Sequence, residues 1–318
     1  MSKTIEQING ITVGHLALGL HGGKPGSVRQ QVHDGDTVIV RADGNFSVRF
    51  LGCDTAEISF TPPGKTTFVG LDAPEWEVFL SDPFAAGLPA FDPPLDAGLL
   101  QFLQQRCGPG TAANHSRSAH KAQEVLEGFV QADIDSLGQD NSTFRFFMAF
   151  ASEVIDRYGR FLGYINRDQP EATDANPRPL SYNERMLETG WATPYFIWPN
   201  LNPFRKQAAP MQAVIQPGKA NHVAESDKSL RQARRWVREA RDNKVGVFSA
   251  DDPLRLLPFE LRFLSRRQPP DRWVIDLGKS DDVLLRPQAY CTIANIEDRL
   301  FIPPESVALF VESGWKRQ

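Results

Sequence analysis

The chain has 318 residues, 41% of them hydrophobic and 23% charged, with a formal net charge of −4. That balance is that of an ordinary globular protein and carries no global basic field, so any site for a polyanion has to be local. No apolar run approaches the roughly 20 residues of a transmembrane helix, and three widely spaced cysteines (Cys53, Cys107, Cys291) form neither a disulfide framework nor a CxxC metal knuckle.

Residues 1–30 are rich in glycine and give no clear period. Their most apolar stretch, ITVGHLALGL, is broken by His15 and two glycines and follows no basic run. It does not read as a secretory signal, and a cytoplasmic location is expected. Residues 32–51 read as strand, turn, strand, with Asp-Gly in ADGN as the hairpin signal. Residues 58–110 are rich in Pro and Gly, with a helix expected near 95–106. A helical period follows over 116–132, then a second strand pair over 143–150 and 160–167. PLSYNERMLETG (179–190) reads as a short helix stopped by Gly190. A proline-bearing loop runs to about 224, and residues 226–244 form a helix with a Ser or Asp cap. Beyond 255 short strands and a final helix suggest an appended α+β unit.

The chemistry lies in three short stretches. In VHDGDTVIV (32–40), alternation puts Asp34 and Asp36 on the face of Val38 and Val40. That is either an Asp-Gly turn in water or a cation site where the apolar row stops. RFLGCDTAE places Arg49, then Asp54 five residues on, then Glu57 three further. Simple alternation aims Arg49 away from Val48 and Phe50, so a bulge or bend near Gly52 is expected. DRYGRFLGYI sets Arg160 beside Gly159.

D-G-D-T, R-x4-D-T-x-E and Y-G-R-x-L-x-Y, in this order, resemble the staphylococcal-nuclease (thermonuclease) family. The resemblance covers about 32–57 and 115–250. It implies an α+β fold built on a five-stranded β-barrel of the OB type with flanking helices. The parts would be an N-terminal extension (1–30), a nuclease domain (31–255) with an insertion at 58–110, and a C-terminal α+β extension (256–318). It implies a calcium-dependent nuclease that hydrolyses DNA and/or RNA by metal-assisted water attack and leaves 3′-phosphate ends. Asp36, Asp54 and the Thr55 carbonyl would hold Ca²⁺, with Asp34 an acid behind them. Glu57 would hold or deprotonate the attacking water, and Arg49 and Arg160 would bind phosphate. Ala56 stands where the family usually has proline. The physical chemistry agrees: a hard cation takes oxygen ligands, and guanidiniums pair with phosphoryl oxygens as charge builds. The other reading is a non-catalytic nucleic-acid- or protein-binding module, since degenerate copies of this fold serve as such.

Other features compete for attention. LDAPE (71–75) looks like the acid motif, but Thr67, not arginine, stands five residues before Asp72. GLHGGKP is one residue short of a P-loop, and Pro25 replaces its Ser/Thr. His115 and His120 read as helix-surface histidines. In GWATPYFIWPN, Phe196 and Trp198 match the family's pocket tyrosines. They offer base stacking without a phenol, or plain core packing. Arg231, Arg234, Arg235, Arg238 and Arg241 line one helix as a solvated face or a nucleic-acid rail. The 58–110 insertion, with Trp76, Phe79, Phe84 and Phe91, is either a lid restricting substrates to single strands or an ornament.

Overall fold

The computed structural model describes residues 4–8, 11–34, 37–42, 44–155, 160–169, 173, 177–200 and 210–318. The chain divides into two compact units. One is Met1–Phe50 with Ala149–Gly163; the other is Leu51–Met148 with Tyr164–Gln318. The architecture is mixed α and β, and no helix among the described residues is long and apolar enough to cross a membrane.

The first unit is built of short strand pairs. Ile5–Ile8 pairs with Ile11–Gly14, and Leu16–Leu18 with Val40–Ala42, both antiparallel. Residues 32–40 are not one strand. Val32–Asp34 runs antiparallel to Thr37–Val38, with Asp34 opposite Thr37. Asp36 lies outside the described residues, and so does the side chain of Asp34. Val48–Phe50 does not return on Val40–Ala42 as the ADGN signal predicts. It runs parallel to the start of Phe161–Arg167, with Leu162 opposite Arg49. Asp-Gly favours a tight turn locally, but pairing is decided by which edges are open, and here each strand has taken a distant partner.

The second unit holds a four-stranded sheet in the order Gly52–Asp54, Thr193–Ile197, Arg299–Ile302, Trp273–Asp276. The first two strands are antiparallel, the middle two parallel, and the last two antiparallel. Two of the four strands therefore come from residues beyond 256. The described strands fall in separate sheets of two to four strands, and no closed barrel forms among them.

The helices follow their caps. Tyr182–Glu188 starts at Ser181 with a reciprocal Ser181–Glu184 capping box. Lys228–Asp242 starts at Asp227, whose carboxylate accepts from the Ser229 and Leu230 N–H groups at 3.0 Å. Ala97–Gln104 and the long Thr111–Ser136 helix lie where the periodicity puts them. Residues 58–110 are neither loose nor peripheral to their unit. Phe60, Leu71, Trp76, Phe79, Leu80, Leu99 and Leu103 are buried in one cluster with Leu257, Phe259, Leu261, Leu264, Tyr290 and Phe301. A Pro- and Gly-rich segment has thus supplied seven of the 18 buried residues of this hydrophobic cluster, and such burial is the dominant favourable term in folding.

Candidate functional site

The acidic motif is delivered by a bend. The chain turns at Leu51, and Gly52 adopts φ 74°. A side chain there would be strained in that left-handed region, and its Cβ would meet the Tyr164 hydroxyl at 3.2 Å. Asn183 pins the bend from both sides. Its Nδ2 donates to the Leu51 carbonyl at 2.9 Å, and its Oδ1 accepts from the Ile165 N–H at 3.1 Å. Asp54 then pairs across the sheet with Thr193, whose hydroxyl donates to the Asp54 carbonyl at 3.0 Å. The bend expected near Gly52 is thus present.

Asp54 and Glu57 converge on one cation that sequence reasoning missed, Arg262. Its Nη1 and Nη2 donate to the two Asp54 carboxylate oxygens at 3.1 and 2.6 Å, and Nη1 also donates to Glu57 Oε1 at 2.6 Å. Two parallel N–H···O bonds are the strong, geometrically specific form of this pair. The Asp54 side chain is 1% exposed, Arg262 14% and Glu57 20%. Burial works against the Arg262 charge, but Asp54 and Glu57 outweigh it and hold the guanidinium protonated. Arg262 rides on the helix Pro258–Arg266, whose Phe259, Leu261, Phe263 and Leu264 are all in the core.

Glu57 is held a second time, through its backbone. Its N–H donates to His115 Nε2 at 2.9 Å. His115 is fully buried on the Thr111–Ser136 helix, not on its surface as expected. Burial, reinforced by the positive charge of Arg262, lowers its pKa to about 3. The ring is therefore neutral at physiological pH, with Nε2 free of a proton and able to accept. His120 is exposed, and its Nδ1 lies 2.8 Å from the Ser116 carbonyl.

The remaining site residues are placed as follows. Thr55 is half-buried, directly after the strand. Arg49 and Arg160 are half-buried in the other compact unit, Arg49 in Val48–Phe50 and Arg160 just before Phe161. Phe196 and Trp198 are 5% and 3% exposed. Trp198 packs edge-on against Phe310, and its Nε1 donates to the Ala213 carbonyl at 2.7 Å. Neither ring has a free face for a base in this structure. The phenol of this stretch belongs to Tyr195, half-buried on the opposite face of the strand. Its ring stacks on Phe259, and its hydroxyl accepts from Arg272.

The arginine stripe is part ionic seam and part exposed face: Arg234 and Arg241 are engaged by buried acids, while Arg231, Arg235 and Arg238 are exposed. Arg234 is buried between Asp298, at 2.7 and 3.1 Å, and Glu225, at 2.7 Å. Arg241 and Arg238 share the fully buried Glu297. Arg235 pairs with Glu239.

The donor set can be weighed against the calcium that the resemblance implies. Ca²⁺ takes six to eight oxygens at about 2.3–2.6 Å. Both Asp54 carboxylate oxygens already face a guanidinium, and Glu57 shares it. No group of three or more His, Cys, Asp or Glu side chains among the described residues is arranged to hold a metal ion. The described residues, as folded, do not fit a resident Ca²⁺.

No family model matches the chain, and no solved structure matches it. Over 167 residues the chain is 25% identical to Endonuclease YhcR of Bacillus subtilis (strain 168). The match covers 52% of this chain and 11% of that relative. The chain is a distant relative of a nuclease and spans a small part of its length.

Proposed function

We propose that this chain is a nuclease that hydrolyses phosphodiester bonds in DNA or RNA, with the end chemistry of the family it resembles. The observation that carries this reading is the treatment of Glu57. It is anchored by His115 at its backbone and by Arg262 at one oxygen, yet its side chain stays open to water while Asp54 does not. A fixed carboxylate at a wet edge suits the positioning of a nucleophilic water. In this reading the water oxygen bonds to phosphorus, and its proton passes toward Glu57. The bond to the 5′-oxygen breaks, that oxygen takes up a proton from solvent to leave as a hydroxyl, and a 3′-phosphate remains. Arg49 and Arg160 are assigned to the phosphoryl oxygens, where two guanidiniums pair better as negative charge grows. Single strands are the expected substrate.

One observation favours the rival reading of a non-catalytic binding module: the complete engagement of the Asp54 carboxylate by Arg262. The same experiment separates the two. The purified chain and its Glu57→Gln variant are incubated with end-labelled single-stranded DNA and RNA, with Ca²⁺ and with chelator. Cleavage leaving 3′-phosphates, lost in Glu57→Gln, supports the nuclease. Binding without cleavage under every condition overturns it.

A further inference from the structure

We propose that Arg262 is the resident cation of the acidic pair, a tethered guanidinium standing where a divalent ion would stand, so that Asp54 and Glu57 take up no Ca²⁺ while it is in place.

Three observations converge on this. The first is geometric. Arg262 contacts both oxygens of Asp54 and one of Glu57, so one guanidinium bridges the two acids. A metal approaching Asp54 would have to displace two hydrogen bonds to a side chain that is itself shielded from water. The second is the anchorage of the cation. Arg262 is not on a loop that could swing aside. It projects from Pro258–Arg266, a helix with four apolar residues in the main core of its unit. Its neighbours Leu261 and Phe263 are among them, so the guanidinium is aimed by packing on both sides. The third is burial. The Asp54 side chain, gripped on both oxygens, is 1% exposed, whereas Glu57, held by Arg262 at one oxygen and by His115 Nε2 at its backbone N–H, keeps 20% of its side chain exposed at the wet edge.

Energetics point the same way. Removing one partner of a buried ion pair leaves an uncompensated charge, the costly case. The bidentate fork lets the acids stay ionised in the interior without a metal. Arg262 acts through Asp54 and Glu57, and is a positioning residue rather than a catalytic one. The proposal does not rest on the nuclease reading, because ion binding is measured without turnover.

The test uses the full chain, with Ca²⁺ followed by calorimetric titration and Tb³⁺ by luminescence. Wild type and Asp54→Asn should respond alike, because Asp54 is not available to the ion. Arg262→Met, which keeps the packing stem and removes the charge, should gain Ca²⁺ binding. Adding Asp54→Asn to that chain should weaken the gained binding by about tenfold or more, the scale on which even supporting groups change metal affinity. A wild type that binds Ca²⁺ about tenfold more tightly than Asp54→Asn overturns the proposal. So does a folded Arg262→Met chain that gains no Asp54-dependent binding. Should Arg262→Met fail to fold, the comparison of wild type with Asp54→Asn decides alone. A chain that cleaves nothing yet gives the expected titrations would overturn the nuclease and leave Arg262 in its role.

Discussion

His115 makes the protein acid-sensitive in a way that can be isolated. Its pKa falls from 6.5 to about 3 in the folded chain, first through burial and then through the charge of Arg262. The unfolded chain therefore takes up the proton first as pH drops. The stability that a neutral His115 contributes is fully present above 6.5, and it is lost as pH falls from there toward 3. The slope is at most about 1.4 kcal/mol per pH unit for one proton. Between about pH 6 and about pH 4 the loss from this one ring is about 2–3 kcal/mol. His115→Gln is the informative substitution. The amide oxygen can still accept from the Glu57 N–H, but the side chain does not titrate. At neutral pH the Gln chain should be less stable by about 1 kcal/mol, the usual scale for an imperfect polar replacement. On acidification its stability should fall less steeply than that of wild type, so the two curves should cross near about pH 6 and the Gln chain should be the more stable below it. Urea unfolding at a series of pH values reads both. Asp54, Glu57 and the other carboxylates are common to the two chains and cancel in the difference. Parallel curves across this range would refute the argument and show that His115 is not the buried neutral group described.

Arg160→Lys keeps the charge and loses the planar fork; turnover should drop by about 10²-fold or more, with binding of uncleaved nucleic acid changed far less. Near-normal turnover of the Lys chain would assign Arg160 a structural role. Trp76→Ala should cost about 3–5 kcal/mol in urea unfolding if residues 58–110 are core, and almost nothing if they are a lid that lifts. Arg234→Met strands the buried Asp298 charge and should cost about 3–5 kcal/mol, whereas Arg235→Ala, which breaks only an exposed pair with Glu239, should stay within about 1 kcal/mol. Equal costs for the two would mean that the seam contributes no more than a surface pair.

What could be read from the sequence was local. The Gly190 stop placed Tyr182–Glu188 and the Ser or Asp cap placed Lys228–Asp242, because such signals act within a few residues of themselves, whereas the Ser181–Glu184 capping box went unread. The bend at Gly52 followed from the conflict between Arg49 and its apolar neighbours. The strand partners were not legible. Gly52–Asp54 finds Thr193–Ile197, and that strand finds Arg299–Ile302, and nothing in a run of four residues specifies a partner over a hundred positions away. Phe196 and Trp198 illustrate the period of two: a shift of one position exchanges buried rings for Tyr195. His115 carried a usable signal. It shares a spacing of three and four with Ala112, Ala119 and Ala122, all buried on the same helix face. Arg262 carried one as well, since an arginine set between Leu261 and Phe263 in an apolar run needs a partner inside. Which partner, the sequence could not say.

The distance along the chain between Asp54 and Arg262 is 208 residues. On a ribosome making roughly 5–20 residues per second, the acids emerge about 10–40 seconds before their guanidinium. Through that interval Asp54 and Glu57 stand without Arg262 beside a half-formed sheet, since the strands that extend it, Trp273–Asp276 and Arg299–Ile302, arrive later still. A nascent chain halted before Pro258 would carry the acid motif in a body without half of its core. The motif therefore comes early in synthesis and is completed late.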